Sequence, residues 1–360
     1  MENHNAFSNQ PIRVLLVEDS LLQLHIIKSF LASAPDVKVV GTAVNGLEAL
    51  KILPELKPDV VCTDYHMPVM DGLEFIEKAV EVYPCPILVL SISVQPNQLD
   101  NIFKMLSAGA IDVMSKPIAT GGVIGREDGN KLIEKIRILS GVKLIKRRGH
   151  ASTPPLNPKC NLPRRNDLPK IIAIGASTGG PQALEVILSS LVDNFPVPIV
   201  CIQHMSHGFM PGMLSWLRDL CKLEIEIASN GTIPQPGHLY FAPEDRHLTI
   251  DKEGKFQYVI PMPEDIYQPG ANQLFKSVAE AYGADSVGII LSGMGRDGAE
   301  GMKAIFDANG ETIAQDEATS VIFGMPAAAI ELGAVCNVLP VDQIGPFLNT
   351  ITIRSRSKHI

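Results

Sequence analysis

Aromatic residues make up only 5% of this chain, with a single tryptophan, which leaves little material for stacking on nucleic-acid bases. Lysine and arginine are outnumbered by aspartate and glutamate, 31 to 39, and the net charge of −8 implies no basic face for a phosphate backbone. A nucleic-acid binder is therefore not expected. No apolar run approaches the roughly 18 residues of a membrane span, and the polar first residues lack the apolar segment of a secretory signal. Membrane insertion is not expected, and a cytoplasmic location is. Six cysteines are scattered without a Cys-x-x-Cys pair, and Cys62, Cys201 and Cys336 sit in apolar runs as small hydrophobes do. A reduced chain is the simplest expectation.

What remains is globular: 46% hydrophobic and 19% charged over 360 residues, enough for about two domains. From Ile12, strand-like runs (13–17, 38–43, 60–63, 87–91, 111–114) alternate with amphipathic stretches (21–34, 46–53, 73–82, 98–108) and a closing helix near 130–140. Five such strands predict a doubly wound parallel sheet. Residues 141–168 then turn rich in proline and basic residues, with Pro154-Pro155, Pro158 and Pro163 breaking any helix, and read as a linker. A second alternating region, residues 169–352, predicts another doubly wound α/β domain, in which the Pro- and Gly-rich stretch 231–269 reads as a hairpin-rich insertion. The first domain is expected to span residues 11–140.

In a parallel sheet, ligands bind beyond the carboxyl ends of the strands. In the first domain those ends carry Glu18 and Asp19, Asp64, Ser91, and Lys116-Pro117. Converging carboxylates suit a hard cation bound through oxygen. A lysine and a hydroxyl opposite them suit a transferring phosphoryl group. In the second domain, Gly175-Ala176-Ser177-Thr178-Gly179 between a strand and a helix fits the G-x-S-x-G pattern of a nucleophile turn. His204 follows the strand ending at Gln203, and Asp297 follows the strand near 287–291. A serine nucleophile needs a base, and the base needs an orienting group. His207, His238 and His247 are rival bases in polar loops, and Asp285 and Asp316 are rival carboxylates. His204 is favoured by its place at a strand end. The order Ser…His…Asp is not that of the α/β-hydrolases.

Over 12–140 the chain resembles the receiver domain of response regulators, through Val17-Glu18-Asp19-Ser20, Asp64-Tyr65-His66-Met67-Pro68, Ser91 and Lys116-Pro117. That resemblance implies Asp64 as phospho-acceptor, Glu18 and Asp19 (with Asp64) as Mg²⁺ ligands, Ser91 and Lys116 as switch residues, and a cis Lys116-Pro117 bond. Glu18 stands where aspartate is commoner. Over the second domain, Gly-Ala-Ser177-Thr-Gly-Gly, Gln-His204-Met and Gly-Met294-Gly-Arg-Asp297-Gly are similar to the three motifs of the chemotaxis protein-glutamate methylesterases, the CheB family. Gln315-Asp316-Glu317-Ala318-Thr319-Ser320, Phe323-Gly324-Met325-Pro326 and Ala242-Pro243 also match.

The resemblance implies hydrolysis of glutamate γ-methyl esters and deamidation of particular glutamines on chemoreceptors. A chemotaxis histidine kinase would be the phosphodonor, and the esterase chemistry would need no cofactor. Ser177, His204 and Asp297 would form the triad, the Met294 backbone N–H would face the oxyanion, and Thr178 would line the site. It also implies that the unphosphorylated receiver covers the cleft. Two departures stand out, Pro269-Gly270-Ala271-Asn272 before the next helix and Ala327 after Gly-Met-Pro. Both are expected to lie clear of the triad. A phospho-dependent binding module with a vestigial triad, and a serine esterase or acyltransferase on another substrate, are the alternatives.

Overall fold

The computed structural model describes residues 10–91, 96–117, 119–120, 123–124, 126–142 and 168–356. The chain divides into two compact units, Met1–Leu144 and Ile145–Ile360.

The first unit alternates β1 (Ile12–Val17), α1 (Leu21–Leu31), β2 (Val37–Ala43), α2 (Gly46–Leu56), β3 (Val60–Asp64), α3 (Gly72–Val82), β4 (Ile87–Ser91), α4 (Pro96–Ala108) and β5 (Asp112–Ser115). The short strands β6 (Ala119–Thr120) and β7 (Val123–Ile124) precede α5 (Arg126–Ser140). Three helices start where their sequence says they should. The side chains of Ser20, Asn45 and Asp71 accept from the N–H groups of Gln23, Glu48 and Glu74, donors that the helix itself leaves unpaired. The continuous apolar runs of β3 and β4 are buried because helices cover both faces of the sheet. Its strands are parallel in the order β2-β1-β3-β4-β5. The chain turns back across β1 after β2, so the switch point lies between β1 and β3, with Glu18, Asp19 and Asp64 at its carboxyl edge.

The second unit runs β8 (Ile171–Ala176), α6 (Gly180–Ser189), β9 (Ile199–Gln203), α7 (Met210–Arg218), β10 (Glu224–Ile227), β11 (His238–Phe241), β12 (His247–Ile250), β13 (Phe256–Val259) and α8 (Ala271–Tyr282). It continues through β14 (Ser286–Ile290), α9 (Ala299–Asp307), β15 (Glu311–Gln315), α10 (Met325–Glu331), β16 (Asn337–Leu339) and α11 (Val341–Arg356). Seven parallel strands lie in the order β10-β11-β9-β8-β14-β15-β16. Here the switch point falls between β8 and β14, and Ser177 sits just beyond it. One face of the sheet packs on α8, whose Leu274, Phe275 and Val278 are fully buried.

Three expectations are corrected. The stretch 231–269 is not wholly an insertion, because β11 lies inside the main sheet, parallel to β10 and β9. Two short strands joined by Pro and Gly read locally as a hairpin, whereas the partners of β11 are set by the tertiary packing. Only β12 and β13 pair as an antiparallel hairpin. The cis peptide bond lies at Gln268–Pro269, not at Lys116–Pro117. Trans is the favoured isomer even before proline, and the Lys116 side chain reaches its carboxylate partners without a cis bond. Finally, Cys62, Cys85, Cys201 and Cys221 are free thiols, but Cys336 is disulfide-bonded. Scattered spacing does not reveal which thiols the fold brings together. Among the described residues, no helix is long and apolar enough to cross a membrane.

Candidate active site

Adjacent strands deliver the first two members of the candidate triad. Ala176 and Gln203 are paired at the ends of β8 and β9, so the next residues, Ser177 and His204, leave the sheet side by side. The His204 N–H donates to Ala176 O at 2.9 Å, and the Ser177 N–H donates to Ser292 O, beyond β14, at 3.0 Å. Gln203 locks both turns: its buried Nε2 donates to Ser177 O at 2.8 Å and to His204 O at 2.9 Å. Sequence reading assigned Gln203 no role, although a polar residue closing an apolar strand was the available signal. The turn also differs from a strained nucleophile elbow. Its left-handed residue is Gly179, at φ 79°, and not Ser177. Glycine is required there, because an added Cβ would sit 2.6 Å from Val321 Cβ and 2.7 Å from Ser292 Oγ.

His204 Nε2 lies 3.0 Å from Asp297 Oδ2 and 3.0 Å from the Pro269 carbonyl oxygen. Both partners are acceptors, so Nε2 carries the proton and Nδ1 is left as the acceptor. No hydrogen bond joins Ser177 Oγ to His204 among the described residues, a looseness common in catalytic sites without substrate. Asp297 is 3% exposed and accepts from Ala271 N at 2.6 Å, Asn272 N at 3.0 Å and Gly298 N at 2.9 Å. Ala271 and Asn272 open α8, whose N-cap Gly270 offers no side chain. Asp297 thus does from a distant loop what an N-cap residue does locally. Burial pushes its carboxyl upward; the His204 hydrogen bond and charge, then the two α8 amides, outweigh that and hold it below its ordinary value.

The segment 269–272 was expected to lie clear of the triad, and it does not. Its backbone touches both His204 and Asp297. A carbonyl and two amide groups make these contacts, so side-chain substitution there could not reveal them.

Gly293 packs directly on Ser177: an added Cβ would stand 2.7 Å from Ser177 Cβ and would collide with Met325 Sδ. The Met294 N–H beside it donates no hydrogen bond among the described residues, and its side chain is 41% exposed. Thr178 is buried, and its carbonyl accepts from Ser292 Oγ at 2.8 Å. The rivals fall elsewhere. His207 is exposed and lies 3.4 Å from Glu244. His238 opens β11, at the opposite edge, beside Glu226. Asp285 pairs with Lys170 before β8, and Asp316 is consumed by the Thr319 amide and hydroxyl. Cys201 on β9 is no thiolate, since burial pushes its thiol far up.

In the first unit, Lys116 Nζ bridges Glu18 Oε2 at 2.7 Å and Asp64 Oδ2 at 2.6 Å. Burial raises the Glu18 carboxyl, Lys116 lowers it, and neighbouring Asp64 raises it again, with a net upward shift. Carboxylate oxygens of Glu18, Asp19 and Asp64 all lie within 4.8 Å of one another. An all-oxygen set of that kind fits Mg²⁺. Ser91 closes β4 and is buried, and its carbonyl accepts from Lys116 N at 2.9 Å.

Fold and site together define a receiver-type sheet followed by an α/β domain whose main sheet is parallel and carries a Ser, a His and an Asp at one edge. Comparison agrees: the response regulator receiver domain family matches residues 14–137, and the CheB methylesterase family matches 172–348. A protein-glutamate methylesterase/protein-glutamine glutaminase of Nitrosospira multiformis is 39% identical, covering 96% of this chain and 99% of its own. A relative of the same name in Anaeromyxobacter dehalogenans is 40% identical, with the same coverage. The catalytic domain of Thermotoga maritima CheB aligns with 51% of this chain and 98% of its own, at 37% identity and a TM-score of 0.48. The chain belongs to the CheB family of receiver-linked methylesterases.

Proposed function

We propose that this chain hydrolyses glutamate γ-methyl esters, and deamidates particular glutamines, on chemoreceptors, under control of phosphorylation at Asp64. Ser177 is the nucleophile, His204 the base and Asp297 the orienting carboxylate. The observation that carries this reading is the placement of His204: two acceptors hold Nε2 while Nδ1 remains open, one residue past the strand pair that also delivers Ser177. Ser177 Oγ attacks the ester carbonyl carbon as its proton passes to His204 Nδ1. The oxyanion that forms faces the uncommitted N–H of Met294, with Thr178 lining the site. His204 then returns the proton to the departing methoxide, giving methanol, and activates the water that frees the glutamate carboxylate.

The catalytic domain is assigned residues 169–352, the receiver 11–140 and the linker 141–168. In the receiver, Glu18, Asp19 and Asp64 would hold Mg²⁺, which when bound offsets phosphoryl charge beside Asp64. Lys116 and Ser91 contact the incoming phosphoryl group and register its arrival. A chemotaxis histidine kinase is the phosphodonor, and the cytoplasm is the compartment in which kinase and receptor helices meet. The decisive experiment is methanol release from methylated receptor with and without a small-molecule phosphodonor. No release under either condition refutes the reading.

A further inference from the structure

His247 is the most buried histidine among the described residues of the second unit, 1% exposed, and the chemistry above does not use it. Both of its ring nitrogens are nonetheless occupied. Nδ1 accepts from the Gly270 N–H at 2.9 Å, so Nε2 carries the proton and donates to Asp265 Oδ2 at 2.9 Å. Asp265 is held in turn by the Met262 N–H at 2.7 Å. The Met262 amide first, and His247 second, keep its carboxyl below the ordinary range. The two contacts on His247 fall at residues 265 and 270 of the strap 265–272, which leads from the β12–β13 hairpin into the first turn of α8.

Tyr267, Pro269, Ala271 and Asn272 of that strap meet the candidate triad. The Tyr267 ring stacks on His204, with centroids 5.2 Å apart and planes 9° from parallel. The Pro269 carbonyl accepts from Nε2 of His204, and beyond Gly270 the amides of Ala271 and Asn272 hold Asp297. On its far side Tyr267 Oη lies so close to Gly295 that an added Cβ there would collide with it. Tyr267 therefore contacts the imidazole through its ring face and the loop that carries the Met294 amide through its hydroxyl end.

We propose that His247 is a positioning residue: with Asp265 it pins the strap 265–272, and through the Tyr267 ring and the Pro269 carbonyl the strap sets the tautomer and orientation of His204. The inference rests on the reading of His204 as the base. Its logic is geometric, because a loop free to move by an ångström would release the carbonyl that fixes the Nε2 proton. Misplacement on that scale costs about 10²-fold in rate.

The test uses the full-length protein in four variants. His247→Leu removes both contacts, whereas His247→Asn keeps an acceptor where Nδ1 meets the Gly270 amide. Tyr267→Ser removes the stacked ring from a half-buried position, and Tyr267→Phe keeps it. The expected result is a kcat lower by about 10- to 100-fold in His247→Leu and Tyr267→Ser, per folded active site, with KM little changed. His247→Asn and Tyr267→Phe should recover most of the rate. Nitrogen-15 spectra of histidine-labelled protein, with the His204 signal assigned by difference from His204→Gln, should show a single Nε2–H tautomer in the wild type. His247→Leu and Tyr267→Ser should show a mixture.

An unchanged kcat per folded site in both disruptive variants, or a His204 tautomer that neither alters, overturns the proposal. If His247→Leu does not fold, Tyr267→Ser decides alone. Should the wild type release no methanol and resist a fluorophosphonate, the functional reading falls, while the tautomer spectra still decide whether the strap orients His204.

Discussion

The Ala271 amide donates a 2.6 Å hydrogen bond to Asp297 Oδ2, and this contact ties the start of α8 to the carboxylate that holds the His204 imidazole. One buried side chain therefore serves a helix terminus and a histidine at once. Changing it should damage both stability and rate.

Asp297→Asn is expected to reduce kcat by about 10⁴, the size of effect seen when an orienting aspartate loses its charge in a serine protease. Stability should fall by about 1 kcal/mol, as for loss of a helix cap. Thermal unfolding alongside methanol release checks both. The pH dependence has a definite sign. The folded carboxyl lies below its ordinary 3.8, so its stabilisation is fully present above that value and is lost as pH falls through the folded value. Acid unfolding of the wild type should therefore approach that of the Asn variant below pH 3.8.

Ser177→Ala should abolish both hydrolysis and fluorophosphonate labelling. The Ser177 hydroxyl makes no hydrogen bond among the described residues, so the melting curve should shift by no more than about 0.5 kcal/mol allows. A large loss of stability would mean that the hydroxyl has a structural role instead.

Gly293→Ala tests the oxyanion assignment while leaving every triad side chain chemically intact. The new methyl would crowd Ser177 Cβ and Met325 Sδ, and any shift of the turn that relieves this carries the adjoining Met294 amide with it. Rate should drop by about 10²–10³, as for loss of one oxyanion donor. Stability should fall by about 1–3 kcal/mol through overpacking. Labelling of Ser177 should slow in parallel with hydrolysis.

Lys116→Met leaves Glu18 and Asp64 facing each other at a nearly dry site. Breaking such a buried pair costs about 3–5 kcal/mol in the absence of a cation, and Mg²⁺ should restore more stability to this variant than to the wild type. In the intact lysine form, a phosphodonor with Mg²⁺ should raise methanol release by up to about 100-fold, and Asp64→Ala should abolish the response.

Much of this protein was legible in its residues because the relevant signals are local. Apolar runs of strand length alternating with amphipathic segments gave both doubly wound sheets. The rule that ligands gather at strand ends put Ser177, His204 and Asp297, and likewise Glu18, Asp64 and Lys116, on the same short lists. That rule needs only the order of elements.

Tertiary structure alone decided the rest. It placed β11 between β10 and β9, turned Nε2 of His204 toward Asp297, and brought the strap 265–272 against both residues. Backbone carbonyl and amide groups make the strap's hydrogen bonds to His204 and Asp297, and such groups recur along the whole chain. Which of them meet across a fold is fixed by packing between segments far apart in the chain, and no spacing in the sequence records it.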